Sequence, residues 1–419
     1  MKSTPQHVNQ KALTAMKAEP DGSTFGALAG LRVIEIGQLL AGPFCGQLLG
    51  DMGAEVIKLE PPGAGDPMRQ WGQVRPDGVS AWFAVVGRNK RCATLDLRTS
   101  EGQTLFKRLA AGADIVVENF RPGALEKWGL SWETLHALNP RLILARVSGY
   151  GQTGPYAAKP GYAAVAEAYS GMRYLMGEPD RPPSRAGLSI GDTLAATYAA
   201  LGAVAAVHAR TRTGEGQLID CALYEACLAM LESVVPDYQL GGLIRERTGS
   251  ALPKIAPSNI YPVKDGMMIV AANQDTVFQR LCKAMGAPDL AKDPRFSTHT
   301  ARGERQAELD ALVGAWTAGH TKASLQAACD AQGVPCGPIN TAKDLFDDPH
   351  IAARGSIVTV DHAALGAIAM QAPAPRLSAT PSTIRWPARA LGEDNGYVFG
   401  DILGLSAAEI DRLRAAKII

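Results

Sequence analysis

Short apolar runs alternate with amphipathic stretches through the first third of the chain. Leu31-Arg-Val-Ile-Glu-Ile36 reads as a buried strand, Gly37 to Gly42 as a turn, and Phe44 to Met52 as a short helix closed by Gly53. Glu55-Val-Ile-Lys-Leu-Glu60 reads as a second strand and completes a βαβ unit. The pattern continues with a strand at 93–97, a helix at 100–111, a strand at 114–118, a helix at 132–138 and a strand at 142–147. Strands alternating with helices of about a dozen residues predict a mainly parallel, doubly wound α/β sheet.

Beyond Gly151 the chain is rich in Gly and Pro to about Gly187, with one helix predicted from Ala163 to Gly171. A long small-residue helix opens at Asp192, a strand follows at 217–223, and a helix then runs to about Tyr238. The region 245–345 differs in texture: a strand from Gly266 and helices at 276–285, 305–317 and 322–332 predict a smaller α+β domain. Gly355-Ser-Ile-Val-Thr-Val begins a strand-rich return, and the final helix, 406–416, opens with the capping box Ser406-Ala-Ala-Glu409. The expected organisation is a disordered N-terminal arm at 1–27 and a large α/β domain whose first part is 28–225. A small α+β domain with linkers follows at 226–345, then a return to the large domain at 346–419.

Charge removes several function classes. The 42 basic residues against 41 acidic give a net charge of +1, so neither a nucleic-acid nor a membrane partner is expected. An uninterrupted apolar run of roughly 18 residues, the mark of a spanning helix, does not occur. Seven scattered cysteines without a C-x-x-C spacing fit reduced thiols and a cytoplasmic location. The seven histidines are equally dispersed, with no H-E-x-x-H and no Cys/His cluster, so no metal is expected.

Gly191-Asp192 stands at the mouth of the small-residue helix and carries two readings. Asp is a good N-cap, and it is also a carboxylate placed where free amides and the helix dipole stabilise negative charge. Polar clusters at predicted strand ends are Asn89-Lys90-Arg91, Arg98, and Glu118-Asn-Phe-Arg-Pro-Gly123. In open α/β sheets ligands bind there, and these basic residues suit a phosphorylated ligand, with Phe120 available to stack on a base. Gly149-Tyr-Gly-Gln-Thr-Gly154 matches the dinucleotide fingerprint by letter, yet Pro155 and Pro160 stand where its helix has to run.

Taken in order, these segments resemble the class III (CaiB/BaiF-type) CoA-transferases, the family that includes formyl-CoA transferase. The similarity runs through Leu40-Ala-Gly-Pro-Phe, Leu49-Gly-Asp-Met-Gly-Ala-Glu-Val-Ile-Lys, Gly65-Asp-Pro-Met-Arg69 and Asn89-Lys-Arg. It continues in Glu118-Asn-Phe-Arg-Pro-Gly, Ser148-Gly-Tyr-Gly-Gln-Thr-Gly-Pro, Gly191-Asp192, Gly214-Glu-Gly-Gln, Gly333-Val-Pro-Cys-Gly-Pro-Ile-Asn and Asp348-Pro-His. The resemblance implies a Rossmann-like large domain built from both chain ends, a smaller α+β domain and an interlocked homodimer. It implies transfer of CoA from an acyl-CoA donor to a carboxylic acid, with Asp192 as the nucleophile that forms an anhydride and then an aspartyl-CoA thioester. Coenzyme A, entering as the acyl-CoA substrate, would be held by Leu40, Arg98, Asn119, Phe120 and Lys127, with Tyr150 and Gly151 at the thioester end. No metal or redox cofactor enters. The sequence stands nearest to members that use succinyl-CoA and a dicarboxylic acid, for which Arg185 offers a clamp on a distal carboxylate.

The chain departs from the family pattern in three places. Pro61-Pro62 follow Glu60 where some relatives carry an Arg for CoA phosphates. Gly249-Ser250-Ala-Leu-Pro stands where formyl-CoA transferases have a run of glycines. Tyr162 and Ala163 stand where racemases of the same fold place a catalytic His, which argues for a transferase. The alternatives are an α-methylacyl-CoA racemase-type isomerase and a non-catalytic CoA-binding protein.

Overall fold

The computed structural model describes residues 26–419, so the arm expected at 1–27 lies outside the described residues but for its last two. Two compact units divide the chain. The larger comprises 26–172, 187–233 and 349–419; the smaller comprises 173–186 and 234–348. The segment 173–186 thus packs with the smaller unit.

Six strands form the sheet of the larger unit: β1 (Arg32–Glu35), β2 (Glu55–Glu60), β3 (Lys90–Thr94), β4 (Ile115–Glu118), β5 (Ile143–Ser148) and β6 (Leu218–Ala222). Their order is β3-β2-β1-β4-β5-β6 and every neighbouring pair is parallel. This is the doubly wound order, with its switch point between β1 and β4. The connecting helices are α1 (Ala41–Asp51), α2 (Ala81–Val86), α3 (Ser100–Ala111), α4 (Ala124–Lys127), α5 (Trp132–Leu138), α6 (Ala163–Tyr169), α7 (Ile190–Thr213) and α8 (Leu223–Leu228).

Near-continuous apolar runs form these strands because both faces of the sheet are covered. Ile34, Ile57, Val116 and Leu144 face α3, α5 and the C-terminal residues Val398, Phe399, Leu413 and Ile418. Their neighbours Val33, Val56, Val117 and Ile143 face Cys45 and Leu49 of α1 and the alanine row Ala195, Ala199 and Ala203 of α7. Each fully buried branched or aromatic side chain contributes about 1.5–3 kcal/mol. The C-terminal segment also closes the sheet's β3 edge, where Asp394 Oδ2 accepts from Cys92 N–H and Asn395 Oδ1 from Thr94 N–H, both at 2.8 Å. The large unit is thereby built from both chain ends.

Several elements differ from the sequence reading. β3 lies three residues earlier than the predicted strand at 93–97, because Lys90, assigned by sequence to a polar cluster at a strand end, is fully buried and paired with Glu35. α1 begins at Ala41 rather than Phe44, since Pro43 falls in the first turn, where its missing N–H has no helical partner to lose. Asp192 is the third residue of α7, whose cap position is held by Ser189, so the N-cap reading of Asp192 is corrected. The helix expected to reach Tyr238 breaks after Leu228 and resumes at Val234–Gly241, with Glu232 at φ 51° between them. α7 is long and apolar enough to cross a membrane by composition, yet its alanine face is part of the sheet's core.

The smaller unit holds a three-stranded antiparallel sheet, β7 (Ser258–Val263), β8 (Gly266–Ala271) and β9 (Cys336–Pro338), in that order. Tyr261, Val270, Phe278, Leu309 and Leu325 fill its core. The buried guanidinium of Arg302 crosses that core, donating to the carbonyls of Ala256, Phe296 and Asn273 and to Asp275.

Candidate functional site

A cleft of about 320 Å³ opens at the carboxyl ends of β1, β4, β5 and β6, where α/β sheets bind ligands. It is lined by Gln38–Ala41 after β1, Asn119–Pro122 after β4, Val147–Gly149 at the end of β5, and Leu223 after β6. Lys159–Tyr162, Ser189 and Asp192 complete it, with Trp71 and Trp82 also on its wall.

The turn after β1 is fixed by its neighbours. Asn119 Oδ1 accepts from Gln38 N–H at 2.8 Å while its Nδ2 donates to Gln38 O at 2.9 Å. This clamp requires glycine at 37 and 42, since a Cβ at either would stand 2.8 or 2.9 Å from Asn119 Oδ1. Beneath the turn lies a buried ion cluster. Lys58 Nζ meets Glu35 Oε1 at 2.9 Å and Asp66 Oδ2 at 2.7 Å, and Lys90 Nζ meets Glu35 Oε2 at 2.6 Å. Burial works against the ionised form of Asp66, but Lys58 and the amides of Met68 and Leu39 hold its carboxyl below the usual range. Burial likewise works against charge on Lys58, and Glu35 and Asp66 reverse that and hold its ammonium above its ordinary value.

Across β4, Glu118 accepts from Phe120 N–H at 2.6 Å and from Arg146 Nε at 2.6 Å. Burial pushes its carboxyl up to about 7, with Arg146 pulling the other way. Phe120 packs edge-on against Trp128, centroids 5.1 Å apart, which leaves its position in the cleft defined by core packing. Gly149 and Gly161 touch backbone to backbone; a Cβ on Gly149 would stand 2.8 Å from Gly161 Cα. That contact brings the Lys159–Tyr162 segment to the carboxyl end of β5.

Asp192 is half-buried in the first turn of α7. The preceding Gly191 is buried against Ala163 and Cys227, and its N–H donates to the buried Glu167 at 3.4 Å. A carboxylate in this turn sits at the positive end of a helix dipole that stabilises developing oxyanions. The arrangement suits covalent acyl chemistry in a partly water-excluded cleft. Among the described residues, no group of three or more His, Cys, Asp or Glu is placed to hold a metal ion.

The structure brings together four of the sequence-derived residues: Leu40, Asn119, Phe120 and Asp192 all line the cleft. Tyr150 and Gly151 follow its residue Gly149 but stand outside its lining, with Tyr150 in a cluster of rings with Tyr156, Tyr169 and Tyr224. Lys127 is exposed on α4. Arg98 is exposed after β3 and paired with Asp96 at 2.8 Å, outside the cleft lining. Arg185, Gly249 and Ser250 belong to the smaller unit, where Gly249 packs beside Glu178 at φ 66°. Lys90 and Arg91 do not form a ligand-facing strand end: they begin β3, and their charges meet Glu35, Glu55 and Asp394. Sequence reasoning misses Trp71, Lys159 and Ser189, which stand in irregular segments without periodicity, and Trp82, which sits on the short helix α2; the two exposed tryptophans, ring centroids 6.2 Å apart, are the available signal.

Comparison with known proteins finds relatives along most of the chain. The family model described as CoA-transferase family III matches residues 28–395. The chain is 57% identical over 390 residues to the succinyl-CoA–D-citramalate CoA-transferase of Chloroflexus aurantiacus, covering 93% of this chain and 97% of that one. It is 41% identical over 396 residues to the alpha subunit of the succinyl-CoA–L-malate CoA-transferase of the same organism, covering 94% and 92%. Among solved structures, a CaiB/BaiF family protein from Brucella suis superposes with a TM-score of 0.80 at 38% identity, covering 90% of this chain and 100% of that one.

Proposed function

The chain belongs to CoA-transferase family III, and from that premise we propose that it moves CoA from succinyl-CoA to a short dicarboxylic acid with Asp192 as the nucleophile. The observation that carries the reading is the placement of Asp192 in one cleft with Leu40, Asn119 and Phe120, the positions at which family resemblance puts nucleophile and CoA contacts. The acceptor class rests on the relatives named for D-citramalate and L-malate, both short hydroxy-dicarboxylates.

In this reading the Asp192 carboxylate attacks the thioester carbonyl and expels CoA thiolate, giving a mixed anhydride. The thiolate then attacks the Asp192 carbonyl, which releases succinate and leaves an aspartyl-CoA thioester. The acceptor carboxylate attacks that thioester, regenerating an anhydride and thiolate. Attack of the thiolate on the acceptor's carbonyl completes the new acyl-CoA and frees Asp192. Each step trades one acyl bond for another, so no net proton or electron is required. The Gly191 and Thr193 amides are engaged by Glu167 and Ser189, so the oxyanion is stabilised chiefly by the positive end of the α7 dipole.

Exposed Val235, Tyr238, Leu240, Leu243 and Ile244 form an apolar stretch that supports a homodimer as the working state. The deciding experiment incubates the enzyme with succinyl-CoA and hydroxylamine and maps the adduct by mass spectrometry. A donor-dependent hydroxamate at Asp192 is expected, with Asp192→Asn lowering kcat by at least about 10³-fold. An unmodified Asp192 in an enzyme that is turning over would refute the assignment.

A further inference from the structure

Among the described residues, Leu39 is the only apolar non-glycine residue with left-handed backbone, at φ 62°. An L-leucine is strained there, because its Cβ crowds the following carbonyl, and such strain persists only where the surroundings over-determine it. Here they do. Leu39 N–H donates to Asp66 Oδ1 at 2.9 Å, while Lys58 Nζ donates to Gly37 O at 3.0 Å and meets the other Asp66 oxygen at 2.7 Å. Asp66 is fixed in turn: Oδ1 also accepts from Met68 N–H, and its own N–H donates to Glu60 Oε2, each at 2.9 Å. Both Lys58 and Asp66 are wholly buried, so their charges act on this turn and its immediate neighbours rather than on solvent. The turn they hold is the segment Gln38–Ala41 that shares the cleft with Asp192.

We propose that Asp66, backed by Lys58, is a positioning residue that locks Leu39 in its left-handed conformation and so sets the cleft wall for the acyl-CoA. The kinetic form of this claim rests on the CoA-transfer reading; the geometric form does not.

Asp66→Ala is expected to lower kcat by about 10²-fold, the scale of an ångström-level misplacement. Asp66→Asn keeps an acceptor for Leu39 N–H but turns an amide donor toward Lys58, so it loses activity yet retains clearly more than Asp66→Ala. Adding Leu39→Gly to Asp66→Ala returns roughly tenfold of the loss, since glycine adopts this φ without strain. A role confined to neutralising Lys58 predicts another ordering: Asp66→Asn falls as far as Asp66→Ala, and Leu39→Gly returns nothing. That ordering overturns the proposal. If Asp66→Ala does not fold, the charge-balanced Lys58→Met/Asp66→Ala variant is measured with and without Leu39→Gly, and the same rescue is required. Absence of turnover by the unsubstituted enzyme with succinyl-CoA and a panel of dicarboxylates counts against the CoA-transfer reading alone. The positioning claim is then decided by the crystal structure of the same variant, and is overturned if Leu39 keeps its left-handed φ without the Asp66 carboxylate.

Discussion

Gly46 lies in the middle of α1, where alanine ordinarily stabilises a helix by about 1 kcal/mol over glycine. Here the opposite is expected. A Cβ at this position would stand 2.0 Å from Glu35 Oε2. Ordinary contact begins near 3.4 Å, so the carboxylate has to retreat by about 1.4 Å. It has little freedom to do so, because Oε2 meets Lys90 Nζ at 2.6 Å and Oε1 meets Lys58 Nζ at 2.9 Å, all three side chains being buried. Disrupting a buried ion pair costs about 3–5 kcal/mol, which outweighs the helix-propensity gain and leaves a net loss of roughly 2–4 kcal/mol. For a unit of this size that lowers the melting temperature by roughly 5–12 °C. Thermal unfolding followed by circular dichroism, with wild type and Gly46→Ala at equal concentration, reads it directly. A variant that melts at or above the wild-type temperature would refute the reasoning, since it would mean that Glu35 swings aside without loss.

Two further outcomes are expected. Arg98→Ala should raise KM for the acyl-CoA severalfold if Arg98 reaches a CoA phosphate as the family resemblance implies; Arg98 is exposed, so the melting temperature should stay at the wild-type value. An unchanged KM across salt concentrations would remove Arg98 from the CoA site. Iodoacetamide at pH 8 should modify Cys336 before the other thiols, because a hydrogen bond from Cys329 holds the half-buried Cys336 below the ordinary thiol range. Burial meanwhile pushes Cys92 and Cys221 up to about 12 and Cys227 and Cys282 up to about 11. Peptide mapping that finds Cys227 modified as fast as Cys336 would contradict that order.

Local pattern determined much of the architecture. The run Val56-Ile-Lys-Leu59 sufficed to mark β2 from Glu55 to Glu60, and α3 from Ser100 to Ala111 is bounded by Thr99, whose side chain caps Gly102 N–H, and Gly112. The Ser406–Glu409 capping box is formed as read. These signals are legible because capping bonds and apolar periodicity involve residues a few positions apart. The motifs also pointed to Leu40, Asn119, Phe120 and Asp192, which the fold brings to one cleft.

Tertiary structure decided the rest. Lys90 reads as surface until Glu35, 55 positions earlier in the chain, is seen to neutralise it in the core. The start of β3 and the left-handed turn at Leu39 both depend on that buried cluster. Asp192 could be a cap or a reactive carboxylate by sequence, and only the packing of Gly191 against Ala163 and Cys227 shows it inside the first turn and on the cleft. Trp71, Lys159 and Ser189 joined the site from irregular segments that carry no period. The physical reason is one of range. Periodicity encodes which face of an element is buried, whereas strand order, buried charge compensation and the meeting of loops 38–41, 119–122 and 159–162 arise from contacts between residues far apart in the chain.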